Sequence, residues 1–232
     1  MDENQSGLLG AGKVHTATYK NQAYDLIKDA ILYNRFRVDA IYSQEAICNE
    51  LGISRTPVRE ALLELQKEGY VTFSRGKGVK VVPVTKQDAG DILEARIFLE
   101  SHNAKLAAER GTPNEKQAIM ACLEELEENL PTLDSRLLYR VDHQFHRLVA
   151  DASHNGWFSR QTSLILDHYL RFEVKSVYNN SIDGTLVYKE HFAIGEEILN
   201  GQPEKAAQAM QHHLSNSYTR TLGGIWKNTP ER

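Results

Sequence analysis

Between Ser43 and Val82 the chain places two capped helical stretches a single glycine turn apart and follows them with a glycine-tipped hairpin pattern. Few folds accept that order. Ser43 precedes Gln44, Glu45 and the apolar set Ile47, Cys48 and Leu51, so it reads as an N-cap, and Gly52 stands where the left-handed residue closing a helix is expected. Ser54 caps again, and Pro57 falls in the first turn, where its missing N–H costs nothing. Val58, Ala61, Leu62 and Leu65 then carry a helical stripe towards Gly69. Tyr70–Phe73 and Val79–Val82, separated by Ser74-Arg75-Gly76-Lys77-Gly78, predict a two-stranded hairpin with a basic tip. Upstream, Tyr24, Ile27, Ile31 and Leu32 place a first helix over Tyr19 to Tyr33, and Pro83 marks the exit. Residues 17–84 are thus expected to form a winged helix-turn-helix of three helices and a β-hairpin wing.

The second of these helices divides its faces. Its apolar stripe must pack, which leaves Ser54, Arg55, Thr56 and Arg59 on the opposite side. Arg55 and Arg59 are four apart and point the same way, and a guanidinium can bond guanine O6 and N7 as a pair. These two are the candidates for reading bases in double-stranded DNA. Ser54, Thr56 and Lys77 suit phosphate contacts, and Arg75 with Gly76 at the wing tip suits the minor groove. Two arginines alone would more simply be a solvated helix face. It is the sequence of helix, turn, helix and basic wing that favours nucleic acid.

From Thr85 onward no strand pattern is convincing. About six helical segments follow, broken at Gly111-Thr112-Pro113, Pro131, Asn155-Gly156, Asn179 to Gly184 and Gly201-Gln202-Pro203. The expected fold is mainly α, with an all-α bundle over 85–226 and tails at 1–16 and 227–232. The formal charge of −4 argues against a DNA binder only until it is divided. Residues 17–84 hold ten Lys/Arg against eight Asp/Glu, whereas residues 85–232 hold sixteen against twenty-one. No run of 18 apolar residues and no basic-then-apolar leader occurs, so neither a membrane span nor export is expected. Cys48 and Cys122 lack the spacing of a disulfide framework or a cysteine zinc site and read as reduced thiols in a cytoplasm.

Histidines give the second domain a candidate chemistry. Along Leu137 to Asp151 the stripe runs Val141, Phe145, Leu148 and Val149, with Asp142 and His146 on its edge and His143 pointing outward. His191 falls between Val187 and Ile194, and His213 lies beside Met210 and Leu214 while His212 points away. Asp142, His146, His191 and His213 could converge on zinc, with nickel or manganese also compatible, and leave coordination positions for a ligand. Four separately satisfied polar residues would explain the helical faces equally well. Arg96 lies in the middle of a stripe with Ile92, Leu99 and Asn103, where a charge needs a partner. An internal acid, an inter-domain salt bridge or the carboxylate of an effector could each supply it.

The run Leu51-Gly52-Ile53-Ser54-Arg55-Thr56-Pro57-Val58-Arg59-Glu60-Ala61-Leu62, with Glu68-Gly69 and Gly76, resembles the GntR family of winged-helix regulators, in its FadR-like branch with an FCD-type ligand domain. The resemblance covers nearly all of the chain after residue 17. It implies that Arg55 and Arg59 contact bases and that Thr56 holds the DNA backbone. Asn34 and Asp39 stand where the family usually has glycines, and Glu45 where some members place a DNA-contacting arginine. The FCD pattern is similar in its Asp-x-x-x-His pair and two later histidines, matched here by Asp142, His146, Glu190-His191 and His213-Leu214. Members lacking these ligands bind acyl-CoA, so their presence implies a metal-assisted site for a small organic acid, with Arg96 placed for the acid group. The expected function is a non-enzymatic, homodimeric regulator on an inverted-repeat operator, with repression the expected sign. The alternatives are a sensor of the metal itself and, further off, a metallohydrolase using metal-bound water.

Overall fold

The computed structural model describes residues 18–130, 135–177 and 184–225. The expected tails, residue 17 and the breaks predicted at Pro131 and across 179–183 lie outside them. Cα packing divides the chain into two units, one running to Val82 apart from residues 32–34, the other taking those three and everything from Pro83.

The first unit runs α1 (Tyr19–Leu32), β1 (Ile41–Tyr42), α2 (Gln44–Leu51), α3 (Arg55–Lys67), β2 (Val71–Ser74) and β3 (Gly78–Val81). The Ser43 hydroxyl accepts the Ala46 N–H at 3.1 Å, and Gly52 closes α2 at φ 66° with its N–H on the Cys48 carbonyl. The positive φ needed there explains the glycine of the turn. Ser54 occupies the N-cap position of α3, but its side chain makes no capping bond. Val58, Ala61, Leu62 and Leu65 are buried as the stripe requires, together with Ala23, Ile27, Ile31, Ile47, Tyr70, Val71, Val79 and Val81.

The expected hairpin forms from β2 and β3, through Val71–Val81 and Ser74–Gly78, and a third strand joins it. β1 pairs antiparallel with β3 through Ile41–Lys80 and Tyr42–Val79, giving a three-stranded sheet of order β1-β3-β2. A strand of two residues carries no alternation to read, which is why periodicity missed it. Gly78 fits the close approach: at φ 125°, a Cβ there would lie 2.1 Å from the Tyr42 carbonyl oxygen.

The second unit is helical throughout its described residues: α4 (Lys86–Arg110), α5 (Pro113–Asn129), α6 (Ser135–Ala152), α7 (Gly156–Val177), α8 (Gly184–Leu199) and α9 (Pro203–Ile225). Capping boxes start two of them, Thr85 with Asp88 on α4 and Thr112 with Glu115 on α5. Ala104, Ala107, Ile119, Leu123, Val141, Phe145, Val149, Ile194, Ile198, Met210 and Leu214 form the main core. α4 packs against α6, α7, α8 and α9, and α6 against α4, α5 and α7. That enclosure overturns one expectation. His143 is buried, not outward-facing, because neighbours cover α6 on several sides and a two-sided helical wheel does not describe it. None of the helices is long and apolar enough to cross a membrane, among the described residues.

Candidate functional site

In the first unit, short elements deliver the basic side chains to one place. Arg55 and Arg59 from α3 and Arg75, Gly76 and Lys77 from the wing line an open depression of about 400 Å³, with Ser43, Gln44, Glu45 and Phe73 on its other walls. The five basic and wing-tip positions named from the sequence therefore meet there, apart from the intervening residues. Ser54 and Thr56 are exposed at the start of α3 but do not line it. Glu45 Oε2 lies 3.3 Å from an Arg55 guanidinium nitrogen, and both side chains are mostly exposed. Such a pair is screened by solvent and salt and restrains Arg55 weakly.

In the second unit, Asp142 and His146 on α6, His191 on α8 and His213 on α9 are all buried, and one ligating atom from each lies within 4.8 Å of the others. His191 Nε2 is 3.2 Å from Asp142 Oδ1 and 3.3 Å from His146 Nε2, and His146 Nε2 is 3.9 Å from Asp142 Oδ2. Zinc held at bonds of about 2.0–2.1 Å spaces tetrahedral ligand atoms by roughly 3.3 Å.

The opposite ring nitrogens fix which lone pairs converge. His191 Nδ1 donates to the Val187 carbonyl at 2.9 Å. His213 Nδ1 donates to Glu190 Oε2 at 2.9 Å. His146 Nδ1 faces Glu100 Oε2 at 2.5 Å, though not in line for a well-formed hydrogen bond. With Nδ1 turned to an acceptor in each ring, Nε2 is left as the ligating atom, the arrangement by which outer partners orient metal-binding imidazoles. A proton cannot replace the cation cheaply. With Nδ1–H committed to Val187, a hydrogen bond from His191 Nε2 to Asp142 would need a doubly protonated, charged ring in a fully buried place. The donor set fits a divalent transition metal.

Protonation tendencies agree with this geometry. Burial, then the nearby His191, push the His213 imidazole down to about 3, and burial also lowers His146. Both rings are neutral and able to ligate near pH 7. Burial raises the Asp142 carboxyl, but its contact with the His191 ring outweighs that and holds the group well below the usual carboxylate range. Glu100 is likewise raised by burial and brought down to about 2 by Arg96 and His146.

Arg96 is buried, as its place on α4 implied, and its Nε donates to Glu100 Oε1 at 2.6 Å. The carboxylate that answers it is an internal one, four residues on. A second Arg96 nitrogen approaches His146 Nε2 at 3.5 Å, and the guanidinium lies over the Tyr169 ring at 4.3 Å. The buried face of α4 includes Arg96, Glu100 and Asn103, while Ile92 and Leu99 are only partly covered. Sequence reasoning passed over Glu100 and gave Glu190 no role beyond its place beside His191. Their signals were an acid one turn after a buried arginine and an acid beside a candidate ligand, neither distinguishable from an ordinary helical charge.

The comparisons agree with the two units. Residues 19–81 match the bacterial regulatory proteins, gntR family, and residues 91–216 match the FCD domain. The chain is 27% identical over 202 residues to an uncharacterized HTH-type transcriptional regulator, YdhC, of Bacillus subtilis, covering 85% of this chain and 88% of that protein. It is 29% identical over 205 residues to the putative L-lactate dehydrogenase operon regulatory protein of Escherichia coli, covering 76% of each. Among solved structures, E. coli McbR/YncC is similar in fold, with a TM-score of 0.79 at 17% identity over 90% of this chain and 99% of that one. The two curated relatives are named as regulators of transcription, not as enzymes, and the gntR family is one of regulatory proteins. The chain belongs to the GntR family of bacterial regulatory proteins, in the FadR-like branch with an FCD domain, and is a ligand-responsive, DNA-binding transcription regulator.

Proposed function

We propose that the protein acts as a homodimer on an inverted-repeat operator, reading guanines with Arg55 and Arg59, and that a small organic acid bound beside a metal in the second unit releases it. Arg75, Gly76 and Lys77 then serve the minor groove and phosphates, with Ser54 and Thr56 on the backbone. Asp142, His146, His191 and His213 hold the metal, zinc first and nickel or manganese as alternatives. The domains in this reading run 17–84 and 85–226, and the sign is repression.

One observation carries the metal: a carboxylate oxygen of Asp142 and an imidazole nitrogen of His146 lie within 3.3 Å of His191 Nε2, in a ring whose proton, on Nδ1, is already given to Val187. Charge supports the acid. Among the described contacts, Asp142 and Glu100 face the imidazoles against the single cation Arg96, while Glu190 is matched by Arg220. A divalent ion turns one surplus negative charge into one positive, and a monocarboxylate beside Arg96 restores neutrality in a buried place. L-lactate is the first probe, since the E. coli relative is named for an L-lactate dehydrogenase operon.

The test measures operator binding by chelator-stripped protein, with zinc alone, and with zinc plus L-lactate or other small carboxylates. Release only in the presence of both ligands supports the reading. A chain that takes up no metal removes it. The pairing of Arg96 with Glu100 favours a second reading, in which the acid anchor is already satisfied and the metal is itself the signal. In that case zinc alone changes operator binding and carboxylates add nothing.

A further inference from the structure

Glu190 neighbours His191 in sequence but belongs to a different partner. Its carboxylate receives four donors, all from one face of α9. His213 Nδ1 and one Arg220 nitrogen meet Oε2 at 2.9 and 2.7 Å, and Asn216 Nδ2 and the other Arg220 nitrogen meet Oε1 at 2.9 and 2.8 Å. Positions 213, 216 and 220 are three and four apart, so the helix presents them as one row. Arg220 binds the carboxylate as a two-pronged fork, the geometry that fixes orientation as well as charge. Glu190 is nearly buried, its side chain 9% exposed.

Resting on the metal reading above, we propose that Glu190 and Arg220 are positioning residues for the metal. Arg220 locks the carboxylate plane, and the carboxylate holds the proton on His213 Nδ1, so that Nε2 faces Asp142, His146 and His191. The same contacts tie the ligand on α9 to α8, which carries His191. An ordinary interhelical ion pair would explain the contact between α8 and α9. It would not explain why the acid's remaining lone pair lands on the outer nitrogen of a ring whose inner nitrogen is a ligand.

The test titrates cobalt(II) and zinc into full-length, chelator-stripped wild type, Glu190→Gln, Arg220→Met and Arg220→Lys, reading affinity by chelator competition, the cobalt visible spectrum, and fold by circular dichroism. Glu190→Gln should lose roughly 10- to 100-fold in affinity, as loss of an outer-shell partner does, and alter the cobalt spectrum at unchanged helicity. Arg220→Met should move both readings the same way by less, with Arg220→Lys recovering part. Folded variants that bind cobalt with wild-type affinity and spectrum overturn the inference and leave the metal site standing. A wild type that binds neither metal overturns both. Should Glu190→Gln fail to fold, the Arg220 pair decides on the same readings.

Discussion

Glu45 and Arg55 stand 3.3 Å apart at the edge of the basic depression, and the acid is the only negative side chain among the residues lining it. Its charge opposes DNA while restraining Arg55 weakly. Glu45→Ala should therefore bind the operator a few-fold more tightly, and fluorescence anisotropy at two salt concentrations will show whether the gain shrinks as salt rises. The double change Arg55→Ala with Arg59→Ala should abolish sequence preference, costing roughly 1–3 kcal/mol of discrimination per arginine. Unchanged affinity for operator over random DNA would remove the base-reading role. Lys77→Ala, in contrast, should weaken all sequences alike and lower the salt slope by about one.

At the level of elements, the wing depends on a glycine for a steric reason. A Cβ on Gly78 would strike the Tyr42 carbonyl, and φ 125° is in any case a backbone shape that side chains resist. Gly78→Ala should unpair β1 from β3 and lower the melting temperature of the first unit, with operator binding lost before helicity. In α3, the fully buried Leu62 is the anchor that keeps the arginine face outward. Leu62→Ala should cost about 2–5 kcal/mol in chemical denaturation.

Over the whole molecule, the histidine centre couples stability to pH and, in the proposed reading, to metal. Unfolded imidazoles titrate near 6.5, whereas His213 is held at about 3 and His146 is lowered. Between those values the unfolded chain takes up protons that the folded chain refuses. Metal-free protein therefore keeps the full contribution above pH 6.5 and loses it as pH falls towards 3, and Glu100, held at about 2 against an ordinary 4.5, adds a loss in the same direction below 4.5. Thermal melts between pH 7.5 and 5 should show the metal-free melting temperature falling on acidification. Zinc at a hundred times its dissociation constant should add about 2.7 kcal/mol at neutral pH, an increment that shrinks in acid as protons compete for the ligands. A melting temperature insensitive to zinc at pH 7.5 would contradict the centre.

The winged helix-turn-helix was legible in the sequence because its determinants are local. Caps at Ser43, the turn at Gly52, the stripe from Val58 to Leu65 and the glycines of the wing act within a few residues of one another, and their spacing is a direct image of backbone geometry. The four candidate ligands were legible as inward-facing positions, and the sequence also marked Arg96 as a buried charge in need of an acid. Tertiary structure alone decided the rest. β1 exists only because β3 lies beside it, and His143 is buried only because α6 is enclosed. Glu100 on α4 faces His146 on α6, and Glu190 reaches His213 from α8 to α9. Those pairings span tens of residues along the chain, and no sequence period encodes a distance between side chains that only packing brings within 3 Å.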